Sequence, residues 1–116
     1  MMQEPLPTLP IGMGDLRALR SIVHSYMALL RRTVPPSRKR EEEMAVLQRL
    51  YFRMQGIPAD AVEVRVDLTV SEIQALSKAI SGFAAFVRHK VPASRYRDET
   101  LGMLEQLRQD LVGMIQ

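Results

Sequence analysis

The sequence predicts an all-α protein, a four-helix bundle built from two tandem helical hairpins with a short extended segment linking them. Three observations carry this. Apolar residues recur every three or four positions in four separate stretches. The corner "VPPSRKREEE", Val34 to Glu43, returns as "VPASRYRDET" 57 residues later. Between the two copies lies one stretch with a period of two, the rhythm of a strand.

The shift of 57 residues aligns far more than the corner. Over 13–57 against 70–114, about 13 of roughly 45 pairs are identical, and most apolar positions stay apolar. Leu16, Leu19, Val23, Tyr26, Leu29 and Leu30 meet Ile73, Leu76, Ile80, Phe83, Phe86 and Val87. We therefore read residues 1–116 as one domain: repeat one at 13–57, an extended linker at 58–69, and repeat two at 70–114. A chain of 116 residues is long enough to bury a core of its own. That core should be aliphatic, because tryptophan is absent and aromatics make up 5% of the residues.

The first helix is expected near 14–32, where Leu16, Leu19, Ile22, Val23, Tyr26, Leu29 and Leu30 share one face. Pro35 stops it and Ser37 caps the next, near 37–55, whose stripe is Met44, Leu47, Leu50, Tyr51 and Met54. Gly56 is suited to a left-handed closing residue, and Pro58 prevents continuation. Thr69 followed by Glu72 is a capping box, which starts the third helix near 70 and lets it run to 90. Pro92 and Ser94 repeat the corner. The fourth helix, near 95–112, offers Leu101, Leu104, Leu107 and Leu111, with Gly113 in the role of Gly56. Neither hairpin can bury its stripe alone, so the two should pack face to face.

In "AVEVRVDLT", Val62, Val64, Val66 and Leu68 alternate with charged residues. A lone strand leaves ladder groups unpaired. The stretch at the matching place in repeat one, "EPLPTLPIG", contains three prolines and can supply only an edge or an extended cover. Antiparallel pairing with a second copy of the chain, centred on Val64, is the attractive solution, with Glu63 facing Arg65. An extended linker laid over the bundle is the alternative. The second helix also carries Val46 and Phe52 outside its core stripe, and the third carries Ala75, Ala79, Gly82, Ala84 and Ala85, small enough for close helix approach. Val62, Val64, Val66, Val46 and Phe52 are therefore the candidate interface.

Chemistry is sparse. The absence of cysteine removes disulfides, thiol catalysis and cysteine-ligated zinc. His24 and His89 have no metal-ligand spacing, and no phosphate loop or nucleophile elbow is present. Adjacent glutamates at 41–43 point about 100° apart on a helix and cannot share one metal. No enzymatic activity, metal or cofactor is expected. No stretch reads as a signal peptide or a membrane span, so a cytoplasmic protein without membrane association is the simplest reading.

The net charge of +3 permits nucleic-acid binding without arguing for it. Arginine supplies 13 of the 16 basic residues. Arg31, Arg32, Arg88, His89 and Lys90 end helices, where cations complement the dipole. Arg38, Lys39, Arg40, Arg95 and Arg97 instead begin helices, the end that prefers anions, and so are the candidate anion site. Two structural readings compete: Arg38 with Glu42 and Arg95 with Glu99 are pairs at four-residue spacing, and an arginine can brace the corner by reaching carbonyls of the preceding helix. The leading expectation is a small interaction module, an adaptor, regulator or assembly subunit, homodimeric or bound to a protein partner. The alternative is a binder of nucleic acid or a phosphate ligand through the basic corners.

Overall fold

A computed structural model of the chain describes residues 8–57 and 63–115, with side chains over 15–57 and 65–115. The element order is β1 (Thr8–Gly12), α1 (Met13–Thr33), α2 (Arg38–Gln55), β2 (Glu63–Asp67), α3 (Val70–Lys90) and α4 (Arg95–Gly113). Every helix falls within one residue of its expected bounds, because the signals that start them are explicit in the sequence. Ser37 Oγ accepts from Arg40 N, and Ser94 Oγ accepts from Arg97 N, both at 3.1 Å. Thr69 and Glu72 form the reciprocal capping box.

The helices pack as a bundle around an aliphatic core. Leu16, Leu47, Leu50, Leu104 and Leu111 are among its fully buried side chains. Glu43 reaches Lys78 while Arg53 reaches Glu72, so α2 runs antiparallel to α3. Close approach of α1 to α3 depends on Gly82: a Cβ there would lie 2.4 Å from Cε1 of Tyr26. Of the small residues of α3, Ala79 and Ala84 are buried in the core and Ala75 packs against it, while Ala85 is exposed.

Two expectations are corrected. β2 does not need a second chain to form a ladder, because β1 pairs with it antiparallel, Ile11 opposite Val64 and Pro10 opposite Arg65. The proline-rich stretch is tolerated because β1 is an edge strand, where a missing N–H need not break a ladder on both sides. The case for self-pairing centred on Val64 therefore lapses.

The second correction concerns the glycines. Gly56 caps α2 with φ −72° and ψ −7°, a right-handed conformation open to any residue. Its amide donates to Phe52 O, so the last turn closes with an ordinary helical bond. Gly113 lies inside α4, and Met114 is the cap, also right-handed. Pro58 is outside the described residues.

Candidate functional site

The basic corners are tied to their own chain. Arg40 Nη1 donates to Val34 O at 2.9 Å, and Arg97 Nη1 donates to Val91 O at 3.4 Å. These are the last carbonyls before each corner, and cations there offset the negative pole of the preceding helix. Arg38 Nε donates to Glu42 at 3.1 Å and Arg95 Nε to Glu99 at 3.0 Å. Both of these arginines are 93% exposed, so the pairs are solvent-screened and contribute only a few tenths of a kcal/mol. Arg40 also pairs with Glu41. Lys39 is exposed with no partner among the described residues. The geometry is that of bracing and pairing, and the Arg40–Val34 and Arg38–Glu42 bonds recur 57 positions on as Arg97–Val91 and Arg95–Glu99.

Nor do the corners merge into one patch. Val91, Tyr96 and Arg97 of the second corner share a groove with Ala18, Ser21 and Ile22 in the first half of α1. The first corner follows the far end of α1, on the order of 20 Å away at 1.5 Å per residue.

Of the candidate interface residues whose side chains are described, Phe52 alone is openly presented, 62% exposed and in edge contact with Tyr51 at 6.3 Å. Val66 is 6% exposed and belongs to the core, and Val46 is packed against it. Val62 lies outside the described residues, and Val64 is described only by its backbone pairing. His89 is exposed at the end of α3; His24 is exposed and packs against the Tyr51 ring at 5.6 Å. Among the described residues, no group of three or more His, Cys, Asp or Glu side chains can hold a metal ion. No helix there is long and apolar enough to cross a membrane.

A different site emerges where helices fail to close. α3 packs extensively on α4 and also on α1 and α2, whereas α1 and α4 scarcely touch. The residues explain the asymmetry. Across the closed α2–α3 seam, Arg53 pairs with Glu72, Lys78 Nζ meets Glu43 at 3.1 Å, and Tyr26 from α1 donates its hydroxyl to the same Glu43 at 3.4 Å. At the positions 57 residues away stand Asp110 and Asp15, Ser21 and Thr100, and Phe83. Two carboxylates repel, a serine cannot bridge as far as a lysine, and a phenyl ring has no hydroxyl to donate. Each tie that closes one seam is missing from the other.

The open seam is a groove of about 320 Å³. Its α1 wall is made of small residues, Ala18, Ser21 and Ser25, and its far wall of Phe83, Val87, Tyr96 and Met103. At Ser25 and Phe83 it adjoins a second hollow, between α1 and α3, that runs past Ala28 to Arg32, where Phe86 joins Phe83, the two rings stacked at 6.4 Å. Tyr96 is 75% exposed and Phe86 36%. From Ala18 to Arg32 the two form a channel about four helical turns long.

On the other side of the Ser21 and Ser25 row the surface changes character. A broad polar depression of about 670 Å³ is bordered by Arg17, Arg20, His24, Tyr51 and Gln55 as well as those serines. Arg17, Arg20, Arg31 and Arg32 make no ion pair or side-chain hydrogen bond among the described residues, and Asp15 is the single acid in α1. The basic strip and the apolar groove thus share a border.

Comparison with family models, curated proteins and solved structures finds no match to this chain. The site therefore rests on geometry alone. Sequence reasoning missed it because both walls read as ordinary core stripes; the one available signal was the loss, within an otherwise kept pattern, of the charges that close the companion seam.

Proposed function

We propose that the chain is a small non-enzymatic interaction module whose docking face is the groove between α1 and α4. One observation carries the reading: an apolar channel about four turns long stays open inside an otherwise well-packed bundle. A wall of small residues facing a wall of aromatics and methionine is the shape that accepts an amphipathic helix, whose own apolar stripe would complete the fourth seam. The corner arginines support phosphate recognition less well, since Arg40 and Arg97 already serve backbone carbonyls and Arg38 and Arg95 already face glutamates.

Site-specific photocrosslinking tests this. A photoreactive phenylalanine analogue in place of Tyr96, at the groove, should give a discrete protein adduct in the native host. The same analogue in place of Gln48, on the exposed side of α2, should not. Equal labelling from both positions, or none from Tyr96, would count against docking at the groove. Light scattering on the purified chain separates a foreign partner from a second copy.

A further inference from the structure

We infer that the helix accepted by this groove is acidic along the edge that lies against α1. The inference rests on the docking reading above and adds the charge of the partner.

Along the exposed side of α1 run Arg17, Arg20, Arg31 and Arg32 with His24 between them, against one acid, Asp15, in the first turn. Elsewhere several exposed cations are matched locally, Arg38 by Glu42, Arg95 by Glu99 and Arg108 by Glu105, while Lys39, Arg49, Arg88 and Lys90 make no ion pair among the described residues; no other described helix carries four arginines against a single acid. Like charges one turn apart on a helix, as Arg17 and Arg20 are, repel slightly, so an unmatched basic strip is not what an isolated helix favours.

Position adds to composition. Arg17 and Arg20 border the depression that meets the groove at Ser21 and Ser25. Arg32 lines the channel's other end beside Phe86. A helix lying in the channel therefore has cations near both its ends on one edge, separated by about 20 Å or roughly four turns. The opposite wall brings one cation, Arg97, whose Nη1 already donates to Val91 O; Tyr96, Thr100 and Met103 are uncharged, and the α4 acids Glu99 and Glu105 are held by arginines of their own helix. The occupant's cross-section follows, with an apolar stripe against Phe83, Val87 and Met103 and carboxylates on the α1 side. Complementary charge of this kind fixes direction and partner choice. A nucleic acid would also meet the arginines, but it has no use for a channel floored by Ile22, Phe83 and Val87.

A display selection on the full chain decides it. The library holds one amphipathic helix of about 16 residues, long enough for four turns, with its apolar stripe fixed and its flanking positions randomised among Glu, Lys and Gln. The wild type should enrich glutamate on one flank only, and binding should weaken roughly tenfold or more from low to high salt. An R17E/R20E/R32E variant, altered at surface positions, should reverse the preference to lysine. Enrichment of neutral or basic flanks by the wild type, or the same preference in the reversed variant, overturns the charge inference while leaving the groove as a docking face. Helices that bind neither protein, or that bind a Phe83→Glu variant as well as the wild type, overturn both. Binding of random-sequence RNA at these arginines in place of any helix overturns the inference in favour of a nucleic-acid partner.

Discussion

Arg53 of α2 is ion-paired with Glu72 at the start of α3, and the same guanidinium donates to Asp67 O at 2.9 Å. One arginine thereby gathers the end of a helix, the end of β2 and the capping box that begins α3. Glu72 is buried, so its carboxylate relies on these partners and on the amide of Thr69, which donates to it at 2.9 Å.

Replacing Glu72 by alanine should cost about 2 to 3 kcal/mol, because it removes a cap and leaves Arg53 without its partner. Asp15, 57 residues earlier, is exposed, and its change to alanine should cost about 0.5 kcal/mol or less. Urea denaturation of both variants checks the contrast.

Two glycines should respond in opposite directions. Gly82→Ala places a methyl against the Tyr26 ring, and overpacking of that kind costs about 1 to 3 kcal/mol, more than the helix propensity it gains. At Gly102, in the middle of α4, an added methyl would meet nothing within 4 Å, so Gly102→Ala should stabilise by about 0.5 to 1 kcal/mol. Thermal unfolding of the pair measures both signs.

Burial, and then the neighbouring Glu43 carboxylate, push the Tyr26 hydroxyl up to about 12 from its ordinary 10.0. A group whose folded pKa is raised favours folding while protonated, so this contribution is complete below pH 10 and is lost as pH climbs from there towards 12. Ultraviolet titration should show a tyrosine ionisation near pH 12. Tyr26→Phe should abolish that step and flatten the fall in stability across the same window.

The corner arginines should divide by position. Arg40→Ala should cost about 1 kcal/mol through the lost bond to Val34 O, and Arg97→Ala somewhat less because its bond is longer. Arg38→Ala and Arg95→Ala should each stay within about 0.3 to 0.5 kcal/mol. Chemical denaturation of the four single variants gives the ranking, and an equal cost at all four would contradict the bracing geometry.

The helices were legible in the sequence because capping is a local matter. Ser37, Thr69 and Ser94 each satisfy an amide three residues on. Pairing of the strands was less legible: three prolines left the N-terminal stretch open as either an edge strand or an extended cover, and it is the edge strand that forms. Gly56 and Gly113 suggested left-handed caps that the helix ends do not use. The open seam could not be read from either wall, since Val87 and Met103 have the same spacing whether a helix covers them or not. It becomes visible only when Asp110, Thr100 and Ser21 are set beside Arg53, Glu43 and Lys78, the residues that close the other side.

Methyl NMR of the full chain, titrated with a glutamate-flanked amphipathic helix from the selection, tests the central claim most directly. The account predicts saturable shifts at Ala18, Ala28, Val87 and Met103, with Met44 and Met54 in the core unmoved. Shifts gathered instead around Phe52 and Val46 on α2, or no shifts at all, would contradict a docking groove between α1 and α4.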